Sequence, residues 1–191
     1  MSIRTSQRLF SVAILSLSIC ASAIVGNALA KANSQGALSA SVVRQVRHEL
    51  ATLPYYGVFD WLEFQTLPDN TVVLSGQVVR PTTKSDAEAR VKAIDGVSKV
   101  VNEIQVLPPS PMDDRLRIAL YRAIYDWNSP LFRYATQSIP PIHIIVDRGR
   151  ATLRGIVASK ADAQIAYMRA RAVPGLFDVK NELQIESEMP R

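Results

Sequence analysis

The feature that most restricts how this chain can fold is an internal repeat. Residues 71–106 align without a gap on residues 150–185, and where core positions differ, as at Ile94 and Val173, both residues are apolar. The identical pairs are Leu74/Leu153, Gly76/Gly155, Val78/Val157, Ala87/Ala166, Arg90/Arg169, Ala93/Ala172, Gly96/Gly175, Val100/Val179, Asn102/Asn181, Glu103/Glu182 and Gln105/Gln184. Self-similarity over a segment of this length predicts two copies of one small domain.

A proline-rich segment, 108–112, separates the two copies. Proline fixes φ and removes a backbone donor, so we expect a short, semi-rigid linker. The predicted division is a first domain at 31–107, a second domain at 113–187 and a short tail at 188–191. Domains of this size have marginal stability when they rely on one core each, and packing of one against the other would raise that stability.

Both copies contain the same series of hydrophobic patterns. The first copy predicts a helix at 43–53, strands at 62–66 and 72–78, a helix at 84–94 and a strand at 100–106. In the last strand the residues expected to face inward are Val100, Asn102, Ile104 and Val106. The corresponding segments of the second copy are 116–127, 142–147, 150–157, 160–172 and 177–186. The predicted fold class is therefore α+β, with two tandem α-β-β-α-β units, each a three-stranded sheet with both helices on one face.

Composition excludes several functional classes. The chain is 48% hydrophobic and 20% charged, which excludes general disorder. Its net charge is +5, but the basic residues are spread along the chain, whereas a dedicated nucleic-acid binder usually concentrates them. The single cysteine, Cys20, excludes a disulfide framework and a thiolate metal site. His48 and His143 have no second ligand at metal-binding spacing, and nucleophile and phosphate-loop motifs do not occur. We therefore predict no catalytic residues, no metal and no cofactor.

The N-terminal segment 1–30 is typical of a secretory signal. Arg4 and Arg8 precede an apolar run, and the motif at 28–30 is an A-x-A cleavage site. We expect cleavage after Ala30, which leaves a mature charge of +3 from 20 basic and 17 acidic residues. Two alternatives remain open: an uncleaved membrane anchor, and lipidation at Cys20.

The repeated motif resembles the BON domain. The motif reads Leu-x-Gly-x-Val, an Ala-rich helix, Gly-Val or Gly-Leu, and then Val-x-Asn-x-Leu/Ile. It is carried in the two copies by Leu74, Gly76, Val78, Gly96, Val97, Val100, Asn102, Ile104 and Val106, and by Leu153, Gly155, Val157, Gly175, Leu176, Val179, Asn181, Leu183 and Ile185. Two copies behind a signal segment are similar to the dual-BON envelope proteins of bacteria, including osmotically induced ones.

The resemblance implies a non-enzymatic role in envelope maintenance, with binding of anionic phospholipid as the expected activity. Members with lipid anchors carry a lipobox cysteine, whereas Ile19 stands here where that motif requires a small residue. The family supplies no invariant ligand motif, so no binding residue is carried over. Its glycines and asparagines are expected to be structural. We expect Gly76 and Gly155 to permit close approach of a helix, Gly96 and Gly175 to cap helices, and Asn102 and Asn181 to tie neighbouring turns.

The most informative candidate site is the predicted helix at 113–127. One stripe, Leu116, Leu120, Ala123, Ile124 and Trp127, fits the core of the second domain. The opposite side carries a second stripe formed by Arg115, Ile118, Tyr121, Arg122 and Tyr125. A helix on a sheet needs only one apolar face, so the second stripe predicts a partner.

Two kinds of partner fit this second stripe. The first domain or a second subunit would bury it in the ordinary way. A membrane interface also fits, because tyrosine rings lie at headgroup depth and arginine binds phosphate. Residues 112–191 contain 12 basic and 9 acidic residues, against 8 of each in 31–111, which favours the second domain for anionic lipid. Our hypothesis is a periplasmic protein that binds anionic phospholipid peripherally. The alternative is a module for interaction with envelope proteins or for oligomerisation, without direct lipid binding.

Overall fold

The first domain contains two helices and the strands of one sheet. The computed structural model describes residues 38–188, so the predicted signal segment and the end of the tail lie outside the described residues. The elements are α1 (Ala40–Ala51), β1 (Trp61–Thr66), β2 (Thr71–Val78), α2 (Pro81–Lys92), β3 (Lys99–Asn102) and β4 (Gln105–Val106). Strand β2 is central: it pairs antiparallel with β1 and parallel with β3 and β4.

The predicted last strand of the first domain is interrupted between β3 and β4. At the break, the Asn102 side-chain oxygen accepts a hydrogen bond from the Ile104 N–H at 3.2 Å, and Ile104 is buried. Beyond this break the alternation shifts by one residue. Leu107 is buried, whereas Val106 is 37% exposed, so the prediction that Val106 faces the core is wrong.

The second domain repeats the arrangement. Its elements are α3 (Pro111–Ile124), a short α4 (Phe132–Ala135), β5 (Ile142–Asp147), β6 (Arg150–Val157), α5 (Lys160–Arg171) and β7 (Asp178–Ile185), followed by a 3-10 turn at Glu186–Glu188. The sheet order is β5-β6-β7, antiparallel and then parallel. Helix α3 begins inside the predicted linker because Pro111 suits its first turn, where the Ser110 hydroxyl accepts from the Asp113 N–H at 3.2 Å.

Each domain has its own core between helices and sheet. Equivalent residues fill the two cores, among them Leu74 and Leu153, Val78 and Val157, and Ala87 and Ala166. The α+β class with two tandem α-β-β-α-β units is thus confirmed. Helix α2 begins at Pro81, three residues before the predicted start at Lys84, since proline is well tolerated in a first helical turn.

Gly76 and Gly155 have a role different from the one predicted. Both have a left-handed φ, +120° and +122°, and the close contact comes from the neighbouring strand rather than from a helix. A Cβ atom would lie 2.0 Å from the Trp61 carbonyl oxygen at Gly76, and 1.8 Å from the Pro141 carbonyl oxygen at Gly155. Glycine is therefore required where the backbone of the first strand of each sheet approaches the second most closely. Gly96 and Gly175 do have the expected left-handed conformation after the helices α2 and α5.

The asparagines join the last strand to the preceding helix. Asn102 donates from Nδ2 to the Lys84 carbonyl at 3.0 Å, and Asn181 donates to the Ala163 carbonyl at 3.2 Å. Their side-chain oxygens accept from backbone N–H groups two residues later. The predicted role is thus correct, because each side-chain oxygen closes a local turn, and the bond from Nδ2 to the helix is an additional contact.

Replacing Gly155 with alanine is expected to destabilise the protein strongly. The new Cβ would push the paired strands β5 and β6 apart, and alanine disfavours this φ. The free energy of unfolding should therefore fall by roughly 2–4 kcal/mol. Gly57→Ala is the matched control, because a Cβ there has no heavy atom within 4 Å. It should change the stability by less than about 1 kcal/mol. Urea unfolding measures the stability of both variants. Equal losses of stability would contradict the requirement for glycine at position 155.

Candidate functional site

Helix α3 contributes one face to the core, as its inner stripe predicts. Leu116, Leu120 and Ile124 are buried. Trp127, predicted to continue this stripe, is instead 77% exposed. The reason is that α3 ends at Ile124, so the helical spacing no longer places Trp127, whose ring lies 4.7 Å from the ring of Phe132.

The second predicted stripe of α3 is divided between the interior and the surface. Tyr125 is buried in its own domain, and its hydroxyl donates to the Ile142 carbonyl at 2.8 Å. Burial raises the pKa of Tyr125 above its usual range, despite the opposing effect of that hydrogen bond. Tyr121 is half-buried, with its ring 6.3 Å from Phe59 of the first domain and in an edge-on orientation. The two tyrosine rings are therefore engaged inside the protein.

Three residues of the predicted stripe remain on the surface: Arg115, Ile118 and Arg122. We call them the α3 outer face. Ile118 is 48% exposed and both arginines are exposed. Helix α1, the equivalent helix of the first domain, exposes no large apolar residue, since its outward positions are Ser41, Arg44, Gln45, Arg47, His48 and Ala51. The fold thus does not require an exposed isoleucine at this place.

The loop that precedes β1, residues 56–60, covers the edge strand β5 of the second domain. At the edge itself, the Ile144 N–H donates to the Val58 carbonyl at 2.8 Å. The ring of Phe59 packs against Tyr121 of α3. We call this segment the clasp loop. It protects the edge strand and joins the two domains.

His143 lies under the clasp loop. Its Nδ1 is 2.6 Å from the Asp60 carbonyl oxygen, and its ring lies 5.0 Å from that of Trp61 and 5.6 Å from that of Tyr56. From the sequence, His143 was considered only as a metal-ligand candidate, so this structural role was missed. The available signal is that Ile145, on the same face of β5 as His143, is also apolar and buried, so the strand is covered on both faces.

The carboxylate of Asp60 fixes the conformation of the clasp loop. It accepts from the Gly57 N–H at 3.1 Å and from the Val79 N–H at 2.8 Å, across two segments of the first domain. Burial raises the pKa of Asp60, while these two hydrogen bonds act in the opposite direction. A rigid loop can cover β5 with little further loss of conformational freedom.

Arg117 is a second residue that the sequence analysis missed. It is 3% exposed, although it lies on a helix whose other arginines face solvent. Its Nη1 lies 2.5 Å from the Asp114 carboxylate, and its Nη2 donates to the Val146 carbonyl at 2.6 Å. The charge is thus paired, which a buried guanidinium requires. With Asp60, Phe59 and Ile118 it lines a junction cavity of about 290 Å³.

Arg154 forms ion pairs with acidic residues of both domains. Its Nε lies 2.8 Å from a Glu182 carboxylate oxygen on β7, and an Nη1 lies 3.6 Å from Glu63 of the first domain. Within 38–188, no group of histidine, cysteine, aspartate or glutamate side chains has an arrangement that could hold a metal ion. No helix in this part of the chain has the length and apolar character to cross a membrane.

Comparison with known families agrees with the duplicated fold. A family model of the BON domain matches residues 63–108 and 132–187, which together make up more than half of the chain. The chain belongs to the BON domain family. BON domains are generally non-catalytic binding modules, linked to interaction with membranes and phospholipid.

Comparison with individual proteins adds little to this assignment. No curated protein matches the chain. It is similar at 13% identity to CdsD, a structural protein of the type III secretion system of Chlamydia trachomatis, over 78% of this chain and 94% of that chain, with a TM-score of 0.29. The C-terminal domain of CdsD gives 13% identity over 80% and 100% of the two chains, with a TM-score of 0.30. Values this low support no argument about function.

The buried histidine between the two BON domains should make stability dependent on pH. Burial lowers the pKa of His143 from its ordinary value of 6.5, which means that the folded chain resists protonation. Its contribution to stability is therefore present above pH 6.5 and declines as the pH falls below that value. Urea unfolding should show a lower free energy of unfolding at about pH 5.5 than at about pH 7.5.

Two variants separate His143 from the other ionisable groups. His143→Gln should flatten the pH dependence, because the titrating group is removed. His48→Gln removes an exposed histidine of α1 and should leave the dependence as in the wild type. An unchanged slope in His143→Gln would refute the role given to this residue.

Proposed function

We propose that this protein is exported to the periplasm and binds anionic phospholipid peripherally through its second BON domain. The observation that carries the proposal is the α3 outer face, where Arg115 and Arg122 flank the exposed Ile118. Export is supported by the signal-like segment 1–30, and envelope integrity or stress tolerance is the corresponding physiological role. The tyrosines of the original stripe are left out of the contact, since their rings pack inside the protein.

The chemistry of the α3 outer face suits a lipid headgroup region. A guanidinium group binds a phosphate with two parallel hydrogen bonds, and an isoleucine between two arginines adds apolar contact at the same depth. Neither arginine has an acidic partner within 4.0 Å among the described residues. Both guanidinium groups are therefore available to a phosphate.

The expected binding is weak and sensitive to salt. A basic residue near an anionic surface contributes about 1 kcal/mol, and this attraction falls off within a Debye length. Two arginines and one isoleucine thus give reversible adhesion. The excess of 12 basic over 9 acidic residues in 112–191 adds only a small general attraction.

Vesicle sedimentation tests the proposal. The protein used is the chain from Lys31 onward, because every residue of both cores lies within 38–188. It should bind vesicles of phosphatidylcholine mixed with phosphatidylglycerol at low salt, and should not bind vesicles of phosphatidylcholine alone. Arg115→Gln combined with Arg122→Gln should weaken binding roughly tenfold or more.

The first domain offers the matched control for this pair. Arg44→Gln with Arg47→Gln makes the same change of charge on the exposed side of α1. This variant should keep most of the affinity if α3 makes the contact. Equal losses in the two double variants would show that only total charge matters, and absence of binding by the wild type would refute the proposed function.

A second candidate function, self-association, is favoured by the edge of the first sheet. Strand β5 is covered by the clasp loop, whereas no strand within 38–188 pairs with the outer edge of β1. A groove of about 550 Å³ runs along this edge between β1 and α1, with Leu50, Tyr56, Leu62 and Phe64 among its lining residues. Arg47 and Glu63 also line it, so two copies related by a twofold axis could place each arginine beside the partner's glutamate.

Light scattering after size-exclusion chromatography tests this second candidate. A dimer formed through β1 should dissociate on Phe64→Lys, which places a charge in the groove, and should persist in Arg122→Gln. A monomeric wild type at all concentrations used would exclude self-association through this edge.

A further inference from the structure

The end of the second domain nearest the start of α3 carries an exposed aromatic ring. Phe177, just before β7, is 82% exposed, the largest exposed fraction of any large apolar residue within 38–188. Its N–H donates to the Gly149 carbonyl at 2.8 Å, in the turn between β5 and β6. We call Phe177 and the turn residues Arg148 and Gly149 the hairpin tip.

The ring of Phe177 lies against Gly149, while most of it faces solvent. A Cβ atom on Gly149 would lie 2.7 Å from Cδ2 of this ring, so the ring lies directly across the glycine. The turn itself is tied to α3, since the buried carboxylate of Asp113 accepts from the N–H groups of Arg148 at 2.9 Å and Gly149 at 2.8 Å. Because the turn beneath the ring is fixed, the ring loses little conformational entropy when it enters a lipid phase.

The first domain shows that the fold does not require this ring. The same backbone hydrogen bond occurs there from the Ser98 N–H to the Asn70 carbonyl, at 3.0 Å. Serine therefore takes the place of Phe177, and Asn70 takes the place of Gly149, again with a positive φ. Asn70 has a side chain at the position where Gly149 leaves room for the ring of Phe177. The second domain thus combines Phe177 with Gly149, whereas the first domain combines Ser98 with Asn70.

The charge at the tip also differs between the two copies. Asp69 of the first domain aligns with Arg148, and the buried Thr71 aligns with the exposed Arg150. Asp147 and Asp178 lie close to the tip as well, and Asp147 is 4.0 Å from Arg148. The local net charge is therefore small, and the apolar ring must supply most of any attraction. Met112, 45% exposed at the first turn of α3, adds apolar surface at this end.

We propose that the hairpin tip inserts into an anionic phospholipid surface, with the Phe177 ring among the acyl chains and Arg148 and Arg150 at the phosphates. This inference rests on the proposed function and assigns it an insertion point and an orientation. Arg115 lies at the same end of α3, where its Nη2 is 3.8 Å from the Met112 sulfur. Trp127 lies beyond the other end of α3 and is not part of the tip.

The test compares two exposed aromatic residues on the same domain. Phe177→Ser restores the residue of the first domain and should weaken binding to phosphatidylcholine–phosphatidylglycerol vesicles about tenfold or more, since it removes one buried phenyl ring. Trp127→Ser changes a similarly exposed ring at the other end of α3 and should alter binding less than about threefold. Urea unfolding should show that both variants remain folded.

A fluorescence measurement tests the same assignment with a variant that is expected to bind normally. Phe177→Trp in a Trp127→Phe background should keep its affinity, and its emission should shift to shorter wavelength with anionic vesicles. Trp127→Phe alone, which retains only Trp61, is the reference and should show no shift. Failure of the wild type to bind would refute the proposed function together with the tip. Normal binding by Phe177→Ser, a loss in Trp127→Ser alone, or an unshifted emission from bound Phe177→Trp would refute only the tip, and lipid binding would stand.

Discussion

The pairing of the clasp loop with β5 determines how the two BON domains present their surfaces. The hydrogen bond from Ile144 to Val58 and the contact of His143 with Asp60 close an edge that would otherwise have unpaired backbone groups. The same loop brings Phe59 against Tyr121 and so removes one side of α3 from solvent. The surface left to a ligand is what this contact does not cover, namely the α3 outer face and the ends of the helix.

Duplication separates what the fold needs from what it does not need. Positions that both copies keep, such as Gly76 and Gly155, are explained by a close approach of the neighbouring strand, where a Cβ would collide with a carbonyl oxygen. Positions at which the copies differ, such as Ser98 and Phe177, lie on the same backbone hydrogen bond and yet differ in surface chemistry. Because both versions support the same architecture, the exposed phenylalanine of the second domain requires an explanation outside folding.

The repeat and the hydrophobic periodicity were sufficient to predict the two domains, their element order and most core residues. Local errors arose where a strand break or a helix end interrupted the periodicity, as at Val106 and Trp127. Contacts between domains were only partly predictable. The second stripe of α3 predicted a partner, and the first domain supplies it at Tyr121, but the local pattern did not identify Phe59 and Asp60 as the covering residues. The candidate stripe was therefore recognised as needing a partner, but its division between the interior and the surface required the structure.

The two edge strands place different constraints on the two candidate functions. Covering β5 costs the chain no association entropy, because the clasp loop belongs to the same molecule, whereas covering β1 with a second copy must offset the loss of free translation and rotation. Binding to a membrane through α3 and the hairpin tip uses the second domain alone and leaves the β1 edge of the first domain accessible. The two activities are thus compatible in one molecule. A protein held on a lipid surface has a higher local concentration, so weak pairing through β1 would be favoured by adsorption.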